Sequence, residues 1–120
     1  MTADCIFCRI IKKESEAEIV YEDEEILAFK DIYPAAPVHL LIVPRRHIPT
    51  LADLEAGDTM LMGRLISVAN DLARAFNLDQ SGYRLVINCG KEGGQLVYHL
   101  HLHLLGGKAL SPAIAEGRGV

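Results

Sequence analysis

No stretch of this sequence is basic enough to follow a phosphodiester backbone. Lys12-Lys13 and Arg45-Arg46 are its only basic doublets and the formal charge is −4, so a nucleic acid polymer is not an expected partner. No apolar run has the length of a bilayer span, and Met1 to Cys5 carry neither a basic n-region nor an apolar h-region. The expectation is a cytoplasmic protein with no membrane partner. Cysteine is scarce and odd in number, with Cys5 and Cys8 at C-x-x-C spacing and Cys89 far off, which does not suit a secreted disulfide framework and leaves thiol or metal chemistry open. Internal repeats and linkers are missing. What remains is a chain of 120 residues, half of them hydrophobic and 23% charged, which is long enough for one core and too short for two. A single domain over 1–120 is expected, with a core of about 5–108 and a tail of 109–120.

Elements follow from hydrophobic spacing. Ile6, Phe7, Ile10 and Ile11 predict a short helix from Asp4 to about Lys13, with Asp4 as its N-cap. Ile19-Val20-Tyr21 and Ile26 to Phe29 flank an acidic run, Glu22 to Glu25, which reads as a hairpin with a solvated turn. Val38 to Val43 is a third strand fenced by Pro37 and Pro44, and Leu61, Leu65, Val68, Leu72 and Phe76 place one buried stripe on a long helix from Asp58 to Asn77, with Met60 and Met62 as core filler. Tyr83 to Asn88 and Val97 to Leu105 supply strands four and five around the turn Gly90 to Gly94. The class is α+β, with a mainly antiparallel five-stranded sheet, one long helix and one short N-terminal helix.

The chemistry concentrates in Tyr98-His99-Leu100-His101-Leu102-His103-Leu104-Leu105, which holds three of only five histidines at period two. On a strand that period sends three imidazoles to one face and the leucines into the core. One ion held by all three is out of reach, because the Cα atoms of His99 and His103 would stand about 13 Å apart at strand rise while metal to nitrogen bonds span about 2 Å. Neighbouring pairs could still converge. A division of labour fits better, with the central imidazole doing the chemistry and its neighbours serving other centres.

This stretch, preceded by Gly93-Gly94-Gln95, resembles the signature of the histidine triad family of nucleotide hydrolases and transferases. The resemblance runs from Ile6-Phe7 through Ala28 to Ile32, Pro37-Val38-His39, Ile42 to Ile48, Gly82-Tyr83-Arg84 and Asn88 to Gly106-Gly107, and it is nearest to the Hint branch of purine nucleoside phosphoramidases. It implies cleavage of the P–N bond of adenosine 5′-phosphoramidates through a nucleotidyl-histidine on His101, with His103 and His39 beside the phosphate. A neutral imidazole can attack near pH 7, provided an acceptor holds the proton on its other nitrogen. The resemblance also implies Asp31 as acceptor for the ribose hydroxyls and Phe7, Ile10, Phe29 and Ile32 as base pocket. Asn88 and the amides around Gly93 and Gly94 are then placed as donors to the α-phosphate, with Gln95 near the bridging position.

Many bacterial members complete a Cys-x-x-Cys zinc site with a Pro-x-x-His histidine and the first triad histidine. Carried over, the structural zinc ligands are Cys5, Cys8, His47 and His99. Purine nucleotides such as AMP or GMP are the implied ligands and a homodimer the implied assembly. Two other functions stand beside this one: a dinucleoside polyphosphate hydrolase, and a nucleotide-binding regulatory module with incidental turnover. Cys89 is expected to be a buried spectator. Leu96, Tyr33 and Glu16 depart from the branch, which often carries a small polar or charged residue, Ser and Pro at these positions.

Overall fold

The computed structural model describes residues 4–112, so the end of the expected tail, 113–120, lies outside the described residues. The order is α1 (Ile6–Ile11), β1 (Ile19–Glu22), β2 (Ile26–Lys30), β3 (Val38–Pro44), two 3₁₀ turns (Leu51–Asp53 and Ala56–Asp58), α2 (Thr59–Ala75), β4 (Tyr83–Val86) and β5 (Leu102–Gly106). All pairings are antiparallel and the strand order across the sheet is β1-β2-β3-β5-β4. The architecture is the expected α+β one.

Strand alternation sorts the side chains into two layers. Ile26 and Ala28 of β2, Leu40 and Ile42 of β3, and Leu102 and Leu104 of β5 face Leu65, Val68, Ala69 and Leu72 of α2. Leu27, Phe29, Leu41 and Val43 take the other face and meet Phe7 and Ile10 of the short α1, with Ile6, Ile11, Ala17 and Val97 packed at the margin. A helix of two turns cannot cover a five-stranded sheet, so this second face keeps room for a cavity. One cross-strand row on it reads His103, Leu41, Phe29, Ile19 from β5 to β1.

Several boundaries differ from the sequence reading. The N-cap of α1 is Cys5, whose sulfur accepts from the Cys8 amide at 3.3 Å, and Asp4 lies outside the helix. Strand four stops at Val86, and strand five begins only at Leu102, because the segment from Gly94 to His101 spends its backbone and side-chain bonds on the neighbouring loop and on Ile48. Met60 is 80% exposed and Met62 half-buried, since only every third or fourth position of α2 meets the sheet. Cys89 is half-buried rather than buried. The acidic turn is not merely solvated. Asp23 accepts from the amides of Glu25 and Ile26 at 2.8 Å, from the Tyr21 hydroxyl at 2.6 Å and from Arg64 of α2, which ties the hairpin to the long helix.

Candidate active site and metal centre

His101 is positioned by a backbone oxygen. Its Nδ1 lies 2.7 Å from the His99 carbonyl, and a carbonyl only accepts, so Nδ1 carries the proton and Nε2 keeps its lone pair. The ring is buried, stands edge-on to Phe7 at 5.1 Å and lines the cavity. Burial pushes its pKa below the ordinary value, so the neutral form prevails at pH 7. These are the two properties an attacking imidazole needs.

The same logic fixes the next two rings. The Ala35 amide donates to His39 Nδ1 at 3.0 Å, which puts the His39 proton on Nε2. That proton faces His103 Nδ1 at 2.9 Å and, more distantly, Asp31 Oδ2 at 3.4 Å. His103 therefore accepts at Nδ1 and offers an Nε2–H. Burial, reinforced by His101 and His39, holds His103 down to about 4, and burial also lowers His39. Both rings are neutral at pH 7, so His103 is a hydrogen-bond donor rather than a cation. Asp31, His39 and His103 are close enough to share a metal ion, but the Ala35 amide leaves His39 with a proton where a ligand needs a lone pair.

A cavity of about 530 Å³ runs from these histidines across the sheet. Phe7, Ile10, Phe29, Ile32, Asp31, Asn88, Gly94, His101 and His103 all line it, as the sequence reading grouped them. Two expected residues do not. His39 sits behind His103. Gln95 is buried in its own loop, accepting from the Gly90 amide at 2.8 Å and donating to the Pro49 and Val97 carbonyls at 2.8 and 3.0 Å. The expected amide nest is also partly used up, because the Gly94 amide donates to Lys91 and the Gln95 amide to Gly90. Asn88 spends one amide proton on the Gly93 carbonyl, which leaves the other for a ligand. Gly93 cannot be replaced without moving the chain, since a Cβ there would stand 2.3 Å from the Cys89 carbonyl oxygen.

Sequence reasoning missed Leu41 and the Ser15-Glu16-Ala17 segment as lining residues. Leu41 carried a usable signal, for it lies two positions after His39 on one strand and therefore on the same face. Ser15 to Ala17 carried none, because a loop is placed by the elements around it. In this case the Lys30 amide, bonded to the Glu18 carbonyl at 3.0 Å, draws the segment alongside Asp31 and Ile32.

On the other side of Phe7 lies the second cluster. Cys5 Sγ is 3.4 Å and Cys8 Sγ 3.6 Å from His99 Nδ1, while His47 Nδ1 is 3.3 Å from Cys8 Sγ and 3.2 Å from His99 Nδ1. Tetrahedral bonds of ordinary zinc length would set such edges at about 3.4 to 3.6 Å, so the four atoms already fit one ion. His99 donates Nε2–H to the Pro44 carbonyl at 2.8 Å, which leaves Nδ1 as the ligating lone pair and supplies the outer hydrogen bond that metal-binding histidines commonly have. Burial, with help from Cys5, pushes the Cys8 thiol up to about 11, so binding a cation releases protons. The group Cys5, Cys8, His47 and His99 can hold a metal ion.

An antiparallel α+β sheet with a tautomer-locked histidine at the mouth of an apolar cleft defines a class of small histidine-centred hydrolases. The comparisons agree. The family described as "Scavenger mRNA decapping enzyme C-term binding" matches residues 4–117. A purine nucleoside phosphoramidase of Escherichia coli strain K12 is 45% identical over 116 residues, covering 97% of this chain and 98% of the relative. Among solved structures, an HIT family hydrolase from Legionella pneumophila superposes with a TM-score of 0.89 at 49% identity, over 90% of this chain and 96% of that one. Another from Clostridium thermocellum gives 0.92 at 44% identity, over 95% and 99%. The chain belongs to the histidine triad family.

Proposed function

We propose that this protein is a purine nucleoside phosphoramidase in which His101 is the nucleophile. The observation that carries the reading is the His99 carbonyl, which leaves a bare Nε2 on His101, a residue that lines the cavity. In the first half-reaction Nε2 attacks the α-phosphorus, the P–N electron pair goes to the amine, and the amine leaves with a proton taken up from solvent while His101 keeps its Nδ1–H and becomes a cationic nucleotidyl-imidazolium. Water then adds at phosphorus and gives a proton back to solvent, the Nε2–P bond breaks and neutral His101 returns with the nucleoside monophosphate. His103 gives its Nε2–H to the phosphoryl oxygens, where charge builds up, and His39 holds it in that tautomer. Asp31 accepts from the ribose hydroxyls, and Phe7, Ile10, Phe29 and Ile32 enclose the base.

The metal is zinc, held by Cys5, Cys8, His47 and His99. Two thiolates and two neutral imidazoles give a closed site of net charge near zero, which supplies folding energy and no open position for substrate.

The assembly is a homodimer. The outer edge of β4 is unpaired within the described sheet, and Tyr83 at the start of β4 and Met60 and Ile66 of α2 are large exposed side chains. Sedimentation should give twice the 13.2 kDa of one chain, and Met60→Asp with Ile66→Asp should shift the protein toward monomer. Monomeric wild-type protein at micromolar concentration would remove the dimer from this reading.

The decisive experiment is His101→Ala. Turnover of adenosine 5′-phosphoramidate should fall by at least three orders of magnitude, while AMP binds within a few-fold of wild type through Asp31 and the apolar pocket. Denaturing mass spectrometry of wild type during a single turnover should show a nucleotidyl adduct on His101. A variant that retained a tenth of the rate, or an adduct elsewhere, would reassign the nucleophile.

A further inference from the structure

We infer that Glu16 reads the far edge of the base and makes this enzyme prefer guanine over other purines, an inference that rests on the nucleotide reading of the cavity above. The cavity crosses the sheet from His101, just before β5, and His103 on it to Ser15, Glu16 and Ala17, which lead into β1. The row His103, Leu41, Phe29, Ile19 makes that three inter-strand steps, about 14 Å, the length of an extended purine nucleoside monophosphate. With phosphorus at His101 and ribose at Asp31, the base lies over Phe29 and against Phe7. A purine is joined to ribose through N9, so the edge pointing away from the sugar is its six-membered ring, with positions 1, 2 and 6.

That end of the cavity is where Glu16 stands. The other ionic groups along the lining are engaged: Lys30 pairs with Glu18 at 2.8 Å, and Asp31 accepts from the Tyr33 amide at 2.9 Å and faces His39. Glu16 is exposed and, among the described residues, makes no hydrogen bond or ion pair. An ionised carboxylate is an acceptor only, and its two oxygens take parallel donors. Guanine offers two adjacent donors on this edge, N1–H and the 2-amino group. Hypoxanthine offers N1–H alone. Adenine places an acceptor at N1, which a carboxylate repels, beside its 6-amino donor. The order of affinity is therefore guanine, hypoxanthine, adenine. The exposed side of the pocket keeps the margin modest, because water competes for the carboxylate.

Calorimetric titration of GMP, IMP and AMP into wild type and Glu16→Ala, run beside turnover of the three matching 5′-phosphoramidates, tests this. Wild type should bind GMP about fivefold more tightly than IMP and about tenfold more tightly than AMP, with kcat/KM in the same order. Glu16→Ala should bring both ratios to within about twofold of one, by weakening GMP and by relieving the repulsion of adenine N1. Glu16→Gln, which keeps the size of the side chain and loses its charge, should keep less than half of the guanine advantage. A guanine ratio near one in wild type, or one that survives in Glu16→Ala, overturns the inference. If the nucleotides bind with these ratios and no phosphoramidate is cleaved, the base reading stands and the proposed reaction fails. If none of the three nucleotides binds, both fall.

Discussion

A carbonyl oxygen cannot donate, and an amide nitrogen cannot accept; those two facts set the roles of three histidines here. The His99 carbonyl leaves His101 a lone pair at Nε2, and the Ala35 amide, acting through His39, leaves His103 a donor at its own Nε2. None of this is visible in the alternation of the sequence, which places the rings on one face and says nothing of their protons. Asp31 is legible as a carboxylate between a strand and a proline loop, yet its coupling to His39 at 3.4 Å is not, because that contact joins chain segments through the register of β2 with β3. The ribose role proposed for Asp31 leads to a measurable expectation. Asp31→Ala should weaken AMP by about 1.5 to 3 kcal/mol, the range for hydrogen bonds to a charged group, and should affect 2′,3′-dideoxy-AMP much less. Titration calorimetry with the two nucleotides decides it, since equal losses for both sugars would take Asp31 out of the ribose site.

At the scale of elements, the Cys and His group that can hold a metal and the proposed nucleophile share one short stretch of chain. The His99 ring belongs to the cluster while its carbonyl holds His101, and Phe7, between Cys5 and Cys8, packs edge-on against both rings at 5.9 and 5.1 Å. An irregular segment from Gly94 to His101 makes this possible. A continuous strand over Val97 to Leu105 would turn the His99 ring toward the same row as His101 and His103. The sequence predicted such a strand because period two persists through residues that no longer pair, and only the competing bonds of Gln95 and Leu100 to the Pro49 and Ile48 region end it. Other elements were legible to within a few residues, since α2 carries one apolar stripe along its length and β2 is a continuous apolar run ended by Lys30. A metal held there would therefore bear on more than stability. Protein purified without chelator should contain one zinc per chain, and Cys5→Ser or His47→Ala should release it, whereas His103→Ala should not. Chelation should lower the melting temperature and reduce kcat more than KM, because the segment holding the His101 tautomer loosens. Elemental analysis finding no zinc in reduced protein, or zinc loss on changing His103, would contradict the assignment.

For the molecule as a whole, the site's design sets an acid limit on folding. His39, His101 and His103 all have folded pKa values below the ordinary 6.5, with burial the leading cause and His103 lowest at about 4. Below pH 6.5 the unfolded chain takes up protons that the folded site refuses, so stability falls as pH drops from 6.5 toward 4 and does not respond to these groups above about pH 7. Asp23 adds a second step lower down. Burial alone would raise its pKa, but the Tyr21 hydroxyl, the Glu25 and Ile26 amides and Arg64 outweigh that and hold it at about 2 against an ordinary 3.8. Its stabilisation is complete above pH 3.8 and disappears as pH falls through about 2. Urea denaturation at stepped pH should therefore show two acid losses in metal-loaded protein. His103→Gln should flatten the upper one, because glutamine does not titrate. Asp23→Asn should lower stability at pH 7 and flatten the lower one. Proton competition at the metal ligands is common to wild type and both variants, so it cancels in the comparison. An upper limb as steep in His103→Gln as in wild type would show that the triad face does not set the limit, and the metal ligands would then be the groups that do.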